Sequence, residues 1–439
     1  MKLVSIHRHK LILLLFAIGF QNVQAQTWTL EKCIETAEKN NKNLQISKNN
    51  ILAGDQKRKE VVVNLIPKIT LNGDYKYFGE LPTQLMPLSV FGGPEGKFKE
   101  AQFGVPHNLN ANLQFSMPLY NSQIYGAMKT TKIAKELHTL KYQKSEEQLF
   151  FEISNLYYNA QILSNQLAFV DSNLLNINSL LANMKLLNTH KLIKGTDVSK
   201  VQLQKDQLVT KKKFITSKYT QVMNALKFSM GISLAENIQV EKNILYTNST
   251  EYVSQTTLDL RLANTKTRLI SSELSTLKNS RLPSLALFGS VGYTGYGFNE
   301  EPNEFLEFYP MGFAGIKLSY PLFNGTVTKR KINQKKFELQ NSKLQVTLVS
   351  EKNSMLVANA NLQKTSAIES IETTLKQIKL AQSIYNQTVL QKKQGTASLT
   401  EVLLADNSLR EAQQTYLSAI VDYLKADLEL KKLTGNIKK

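Results

Sequence analysis

The sequence has little cysteine, and only one run of residues is strongly apolar. Cys33 is the single cysteine among 439 residues, so the chain cannot form an internal disulfide. Beyond residue 25, no stretch is long and apolar enough to span a bilayer as a helix. The five histidines show no metal-ligand spacing, and no phosphate loop, nucleophile elbow or pair of catalytic carboxylates occurs. The sequence therefore predicts no enzyme, metal site or cofactor.

Acidic residues are fewer than basic ones. The chain has 54 lysines and arginines against 35 acids, which gives a formal net charge of +19. Nucleic-acid binders are also basic, but their positive charge is clustered in a patch or motif. Here the lysines are spread over predicted helices and accompany no aromatic stacking motif. This pattern favours a solvated helical surface, and we predict no nucleic-acid partner.

The N-terminus predicts export. Basic residues up to Lys10 precede an apolar run over residues 11–20, and Val23-Gln24-Ala25 is a small-x-small cleavage site. The run is about half the ~20 residues that a spanning helix needs. Residues 1–25 are therefore predicted to be a secretory signal peptide, with cleavage after Ala25. Cys33 lies past this site, on an apolar helical face, and is predicted to be part of a core.

The remaining chain contains two copies of one plan. Short motifs recur in the same order at offsets of 216, 203 and 204 residues. They pair Pro67 with Pro283, Pro118 with Pro321, and Gly231 with Gly435. The pattern predicts a first repeat over 26–231, a connector over 232–256 and a second repeat over 257–439.

Each repeat contains two segments in which apolar and polar residues alternate, as in strands with unlike faces. These segments lie at about 66–78, 108–118, 284–296 and 309–321. They are about as long as tilted membrane-spanning strands, and aromatic residues gather at their ends. A soluble sheet with aromatics at its rim is the alternative. The exported chain and the segment lengths favour membrane strands.

Long helical hairpins follow the strands, at about 121–231 and 324–435. From residue 121 to about 190 there is no proline, and Gly126 is the only glycine. The last helix has apolar residues at heptad positions a and d over five heptads, which predicts a coiled-coil seam. Its a positions are Val402, Leu409, Tyr416, Tyr423 and Leu430, and its d positions are Ala405, Ala412, Ala419, Ala426 and Leu433.

Four strands are too few to close a barrel, because the smallest known barrels have eight strands. An open sheet edge inside a bilayer leaves backbone groups without hydrogen bonds. We therefore expect three copies to pool their strands. The predicted fold is mostly α, and the homotrimer forms a 12-strand β-barrel continued by an α-helical coiled-coil barrel.

The chain resembles the TolC-type outer membrane efflux proteins over nearly all of its mature length. The resemblance rests on the opening segment Leu30 to Ala37, the Asn-rich segment at 40–44, the Leu-Pro strand starts and the two Pro-Leu-aromatic-Asn strand ends. It implies a homotrimer in outer-membrane lipid that extends into the periplasm. It also implies docking of a periplasmic adaptor (membrane fusion protein), which connects the duct to an inner-membrane transporter.

The resemblance also implies functional positions at the two hairpin tips. The family has a glycine at the tip and an acid six residues later, and this pattern fits Gly395 and Glu401. In the first repeat, the offset of 204 residues assigns Lys191 to the glycine position and Asp197 to the acid position. Gly195, which lies 200 residues before Gly395, is interpreted as a coincidence. The predicted adaptor-contact residues are Lys191, Leu192, Ile193, Lys194, Gly395, Thr396 and Ala397.

Acids near these tips form a constricting ring in the best-known members, and Asp197 and Glu401 match acids of that kind. Three family positions differ in this chain. Leu404 stands where the family has a second acid, Ala397 where it has a tethering arginine, and Lys392 where it has a tyrosine. We therefore predict a gate in which Lys392 pairs with Asp197 in the closed state. The alternative is that both acids serve only to stabilise the starts of their helices, because a carboxylate interacts favourably with the positive end of the helix dipole.

Together these features predict a passive outer-membrane export channel of a tripartite efflux pump or a type I secretion system. A structural periplasmic coiled coil without a channel is the alternative. It explains the heptads and the leader but not the alternating strands. An outer-membrane enzyme or ligand receptor is a third class, and no constellation of residues supports it.

Overall fold

The computed structural model describes residues 26–244, 252–299 and 307–437. The predicted signal peptide and its cleavage position lie outside the described residues, as does the part of the connector at 245–251. Helices are α1 (Leu30–Asn40), α2 (Lys42–Val63), α3 (Ser122–Thr189), α4 (Gly195–Met230), α5 (Leu258–Asn279), α6 (Val327–Lys393) and α7 (Leu399–Leu433). Strands are β1 (Gln26–Trp28), β2 (Lys68–Tyr77), β3 (Thr83–Pro87), β4 (Phe98–Gln102), β5 (His107–Tyr120), β6 (Ile238–Val240), β7 (Ser284–Gly297) and β8 (Glu307–Ser319).

The chain divides into two compact units. The first contains residues up to 49 together with 140–261 and 347–439, and the second contains 50–139 and 262–346. None of the helices in the described ranges is both long and apolar enough to cross a membrane.

The second unit contains an antiparallel four-stranded sheet in the order β2-β5-β7-β8. Its strand ends differ by up to two residues from those that the alternation predicts. A short antiparallel hairpin, β3–β4, occupies the connection between β2 and β5 and was not predicted.

The register of this sheet brings the predicted apolar positions together on one face. Leu71 pairs with Leu113, and Leu113 pairs with Val291. Leu287 pairs with Ile316 on the same face. Leu71 and Ile316 are exposed by 75% and 64% in the single chain, so this face is apolar and uncovered. The opposite face of β2 and β5 is polar and carries hydrogen bonds among the amides of Asn72, Asn110, Asn112 and Gln114.

The helices of the second unit contact one another in the order α2-α3-α5-α6, which matches the order of the strands that they adjoin. Lys135 of α3 forms an ion pair with Asp55 of α2 at 2.6 Å. Gly126 of α3 lies against Thr276 of α5, where an added Cβ would meet the threonine hydroxyl at 2.5 Å. This close approach explains the single glycine in the long helix. On the far side, Lys335 of α6 lies 3.1 Å from Glu273 of α5.

The first unit begins with a parallel pair of short strands, β1 and β6. Its core contains the Cys33 and Ala37 side chains, both fully buried, together with Ile153 and Tyr157 of α3. Burial raises the pKa of the Cys33 thiol to about 12, which is the environment of a core residue rather than of a reactive thiolate.

Two helical hairpins complete the first unit. Within α7, the predicted a and d positions are buried, except that Tyr416 is half-buried. Val402 and Leu409 pack with Ala381 and Tyr385 of α6. In α4, Val201 packs in a second cluster against α3. Helix α3 has 68 residues and is therefore roughly 100 Å long at 1.5 Å per residue.

Candidate gate and docking site at the helical tips

Both hairpins turn with the same backbone geometry. Helix α3 ends at Thr189 and α4 begins at Gly195, while α6 ends at Lys393 and α7 begins at Leu399. Lys191 and Gly395 both adopt left-handed backbone, with φ of 56° and 79°. The turns are thus related by the 204 offset. Gly195 is the first residue of α4 and takes no part in the left-handed turn.

The same hydrogen bonds close the two turns. The backbone N–H of Leu192 donates to the Leu187 carbonyl at 2.9 Å, and that of Thr396 donates to the Gln391 carbonyl at 3.0 Å. A left-handed residue that ends a helix is usually glycine, because a Cβ is strained there. The first tip accommodates Lys191 in this position.

The predicted contact residues divide between surface and core. Lys191, Leu192, Lys194, Gly395 and Thr396 are exposed. Ile193 is half-buried and packs against the α3–α4 core. Ala397 is 8% exposed and belongs to the interior of the tip. Leu192 is the prominent apolar group at the surface, with 69% of its side chain exposed.

Glu401 caps the start of α7. Its carboxylate accepts a hydrogen bond from the Ser398 backbone N–H, and the Ser398 hydroxyl accepts one from the Glu401 N–H at 3.2 Å. These hydrogen bonds with Ser398 lower the pKa of the exposed Glu401 carboxyl. Glu401 therefore stabilises the helix start and stays ionised at neutral pH, and both properties are compatible with a gate ring.

Asp197 has a different setting at the first tip. It lies in the first turn of α4, and its carboxylate is 3.5 Å from the Lys200 ammonium in the same helix. The preceding cap residue, Lys194, makes no side-chain capping hydrogen bond. Lys392 is half-buried in the last turn of α6. The pair between Asp197 and Lys392 stays a prediction about the closed trimer.

Sequence reasoning missed a buried ion pair above the second tip. Asp406 is 3% exposed and pairs with Arg410, whose guanidinium also donates to Gln204 of α4 at 2.8 Å. Burial raises the pKa of the Asp406 carboxyl, and Arg410 opposes that rise. The pair links the two hairpins. The sequence signal for this pair was Asp406, an acid directly after the d position Ala405, followed four residues later by Arg410.

Similarity to known proteins agrees with this architecture. The family model "Outer membrane efflux protein" matches residues 254–436. The outer membrane protein TolC of Vibrio cholerae is 21% identical over 339 residues, covering 75% of this chain and 77% of that protein. TolC of Salmonella enteritidis is 19% identical over 430 residues, covering 95% and 84%. The crystal structure of the outer membrane protein VceC from Vibrio cholerae has a TM-score of 0.74 and 14% identity, and the match covers 92% of this chain and 96% of that one.

The four-stranded sheet with one apolar face and the two long helical hairpins thus have the fold of the outer membrane protein VceC. Residues 254–436 match the outer membrane efflux protein family, and the chain is similar to TolC along most of its length. It is a protein of the outer membrane that extends into the periplasm.

Proposed function

We propose that three copies of this chain form a passive export duct across the outer membrane. The duct serves a tripartite efflux pump or a type I secretion system, in which an inner-membrane transporter supplies the energy and a periplasmic adaptor joins the two. One observation carries the proposal: the four-stranded sheet exposes an apolar face and, within the described residues, has an unpaired edge at β2 and another at β8.

A bilayer imposes a definite solution on such a sheet. Unpaired backbone groups in hydrocarbon cost several kcal/mol each, so both edges require strand partners. Pairing β8 of one copy with β2 of the next satisfies both edges in a closed ring. Three copies supply twelve strands, and the apolar face then contacts lipid while the polar amide face lines a water-filled lumen.

The first test is the mass of the protein extracted from the outer-membrane fraction in mild detergent, measured by light scattering and corrected for the micelle. We expect the mass of three mature chains. A monomer or dimer that is soluble without detergent would contradict the proposal and leave the periplasmic coiled coil as the better account. That alternative gives the exposed apolar face of the sheet no role.

We further propose that the hairpin tips act as gate and docking site. Three copies of Asp197 and Glu401 converge if they face the lumen, and such a ring of carboxylates constricts the duct electrostatically. Lys392 neutralises Asp197 in the closed state. The exposed residues Lys191, Leu192, Lys194, Gly395 and Thr396 contact the adaptor, with Leu192 as the apolar anchor, and the half-buried Ile193 and the buried Ala397 support them from inside the tips.

Charge exchange tests the proposed gate pair. Asp197→Lys or Lys392→Asp alone should open the duct, because each places like charges together, and the double variant should restore closure. Single-channel conductance in planar bilayers reports closure directly. If the double variant conducts as much as either single variant, Asp197 and Lys392 do not pair, although the duct itself is unaffected by that result.

A further inference from the structure

Two lysines at one end of the sheet lie on its polar face. Strand alternation fixes this assignment, because Lys68 directly precedes the apolar position Ile69 and Lys317 lies between Ile316 and Leu318. Neighbouring residues of a strand point to opposite faces. Both lysines therefore lie on the side that carries Asn72 and Asn112.

The register puts both lysines at the end of the sheet that joins the helices. Lys68 is the first residue of β2 and pairs with Ser116. Lys317 lies two residues from the end of β8 and pairs with Ala286. Helix α2 leads into β2 and α6 follows β8, so this is the periplasmic end of the proposed barrel.

The two ammonium groups lie beside neutral groups or solvent. Lys68 donates to the side-chain carbonyl of Asn64 at 3.1 Å, and Lys317 is exposed. Among the described residues, neither lysine has a carboxylate within 4 Å. By contrast, Lys76, near the other end of β2, is neutralised by Asp74 at 3.1 Å. The periplasmic end of the polar face thus has two positive charges per chain without a local counter-ion.

We propose that Lys68 and Lys317 form a ring of ammonium groups at the periplasmic mouth of the barrel lumen, and that this ring favours anionic over cationic cargo. The inference rests on the proposed trimeric duct, which brings two lysines from each of three copies into one ring. The suited cargo bears carboxylate, phosphate or sulfate groups.

Assembly strengthens the effect of the ring. Lys68 and Lys317 lie on β2 and β8, the two edge strands that pair between copies. Like charges on adjacent strands repel each other, and an anion held between them relieves the repulsion. Rings of lysine or arginine give pores a preference for anions by the same electrostatics.

The test is ion selectivity of the purified full-length protein in planar bilayers, with chloride and potassium as probes. The reversal potential under a KCl gradient gives the chloride-to-potassium permeability ratio. We expect the ratio to fall at least about twofold in the double variant K68Q/K317Q, with a larger fall at low salt, because screening is weaker there. The tip acids are the same in every variant, so their influence cancels.

The matched control is K68R/K317R, which keeps both charges and should keep the wild-type ratio. An unchanged ratio in K68Q/K317Q channels would overturn the inference while leaving the duct intact. An arginine variant that behaves like the glutamine variant would also overturn it, because size rather than charge would then decide. If neither the wild-type protein nor the open-gate variants Asp197→Lys and Lys392→Asp conduct, the proposed function itself fails.

Discussion

Asp427 in α7 is the centre of an ionic cluster in the first unit. Its carboxylate lies 2.7 Å from the Lys364 ammonium and 3.3 Å from that of Lys431, and it accepts a hydrogen bond from the Tyr252 hydroxyl at 2.7 Å. The Lys364 ammonium also lies 4.7 Å from the centre of the Tyr252 ring. The cluster joins α6 and α7 to Tyr252 of the connector.

Replacing this carboxylate should make the protein less stable. Burial opposes ionisation of Asp427, but hydrogen bonds from Lys364 and Tyr252 and the charge of Lys431 outweigh it, so the pKa of Asp427 lies below its usual value. Asp427→Asn leaves Lys364 largely buried without its counter-charge. We expect a loss of about 2–3 kcal/mol in the free energy of unfolding at pH 7, measured by guanidinium unfolding in detergent with circular dichroism.

The pH dependence has a definite sign. Because the folded-state pKa is lowered, Asp427 stabilises the protein above its unfolded-state pKa of about 4 and loses that effect as the pH falls through the folded-state pKa. The asparagine variant should lack this acid-dependent loss. Asp422→Asn, at an exposed position of the same helix, is the control. Equal destabilisation by both substitutions would contradict the assigned role of the cluster.

At the scale of the element, the two hairpin turns differ mainly in the residue that takes the left-handed backbone. A side chain in this conformation costs roughly 1 kcal/mol relative to glycine. Lys191→Gly should therefore stabilise the first tip by about 0.5–1 kcal/mol, and Gly395→Lys should destabilise the second tip by a similar amount.

Hydrogen exchange of the backbone amides in each turn measures this difference locally. Leu192 and Thr396 donate the closing hydrogen bonds, so exchange should slow at Leu192 in the first variant and accelerate at Thr396 in the second. Parallel changes of the same sign in both variants would show that a factor other than the backbone conformation controls the turns.

The repeat made these turns predictable from the sequence. The glycine of the second tip marks its left-handed residue, and the offset transfers that conformation to Lys191, where composition alone gives no sign of it. The strands were predictable for a different reason. One face of each strand is apolar and the other polar, so residues such as Ile69 and Leu71 alternate with polar residues in the sequence.

Other elements left no comparable pattern. Strands β3 and β4 have five residues each, too few for an alternation to stand out, and β1 and β6 pair across more than 200 residues of sequence. The Asp406–Arg410 pair depends on burial by α4 and α6, which only tertiary packing establishes. At the candidate gate, the sequence assigned the positions, and the Ser398-x-x-Glu401 spacing was an unused signal of the capping box that the structure shows.

At the scale of the whole molecule, the sidedness of the sheet predicts opposite results at adjacent residues. Leu71 lies on the apolar face near the middle of β2, and Asn72 lies on the polar face. A lysine on the lipid face near the bilayer midplane costs about 2–4 kcal/mol. Leu71→Lys should therefore reduce insertion strongly, whereas Asn72→Lys, which points into water, should insert almost normally.

The yield of trimer in the outer-membrane fraction checks this prediction, with total expression as the reference. The two variants add the same charge to the same strand, so each serves as the control for the other. Equal yields of both, whether high or low, would show that the two faces of the sheet meet similar surroundings. The assembled Asn72→Lys channels should also shift further toward chloride, as the lysine ring predicts.

The open edges at β2 and β8 have a genetic consequence. In the proposed ring of three, the barrel closes only when every copy contributes both edges, so a copy with one damaged edge blocks the assemblies that it enters. In a cell that makes both normal and damaged chains, the share of intact channels falls as the cube of the normal fraction. Edge mutations in β2 or β8 should thus be dominant, whereas mutations that prevent export or folding of the chain should be recessive.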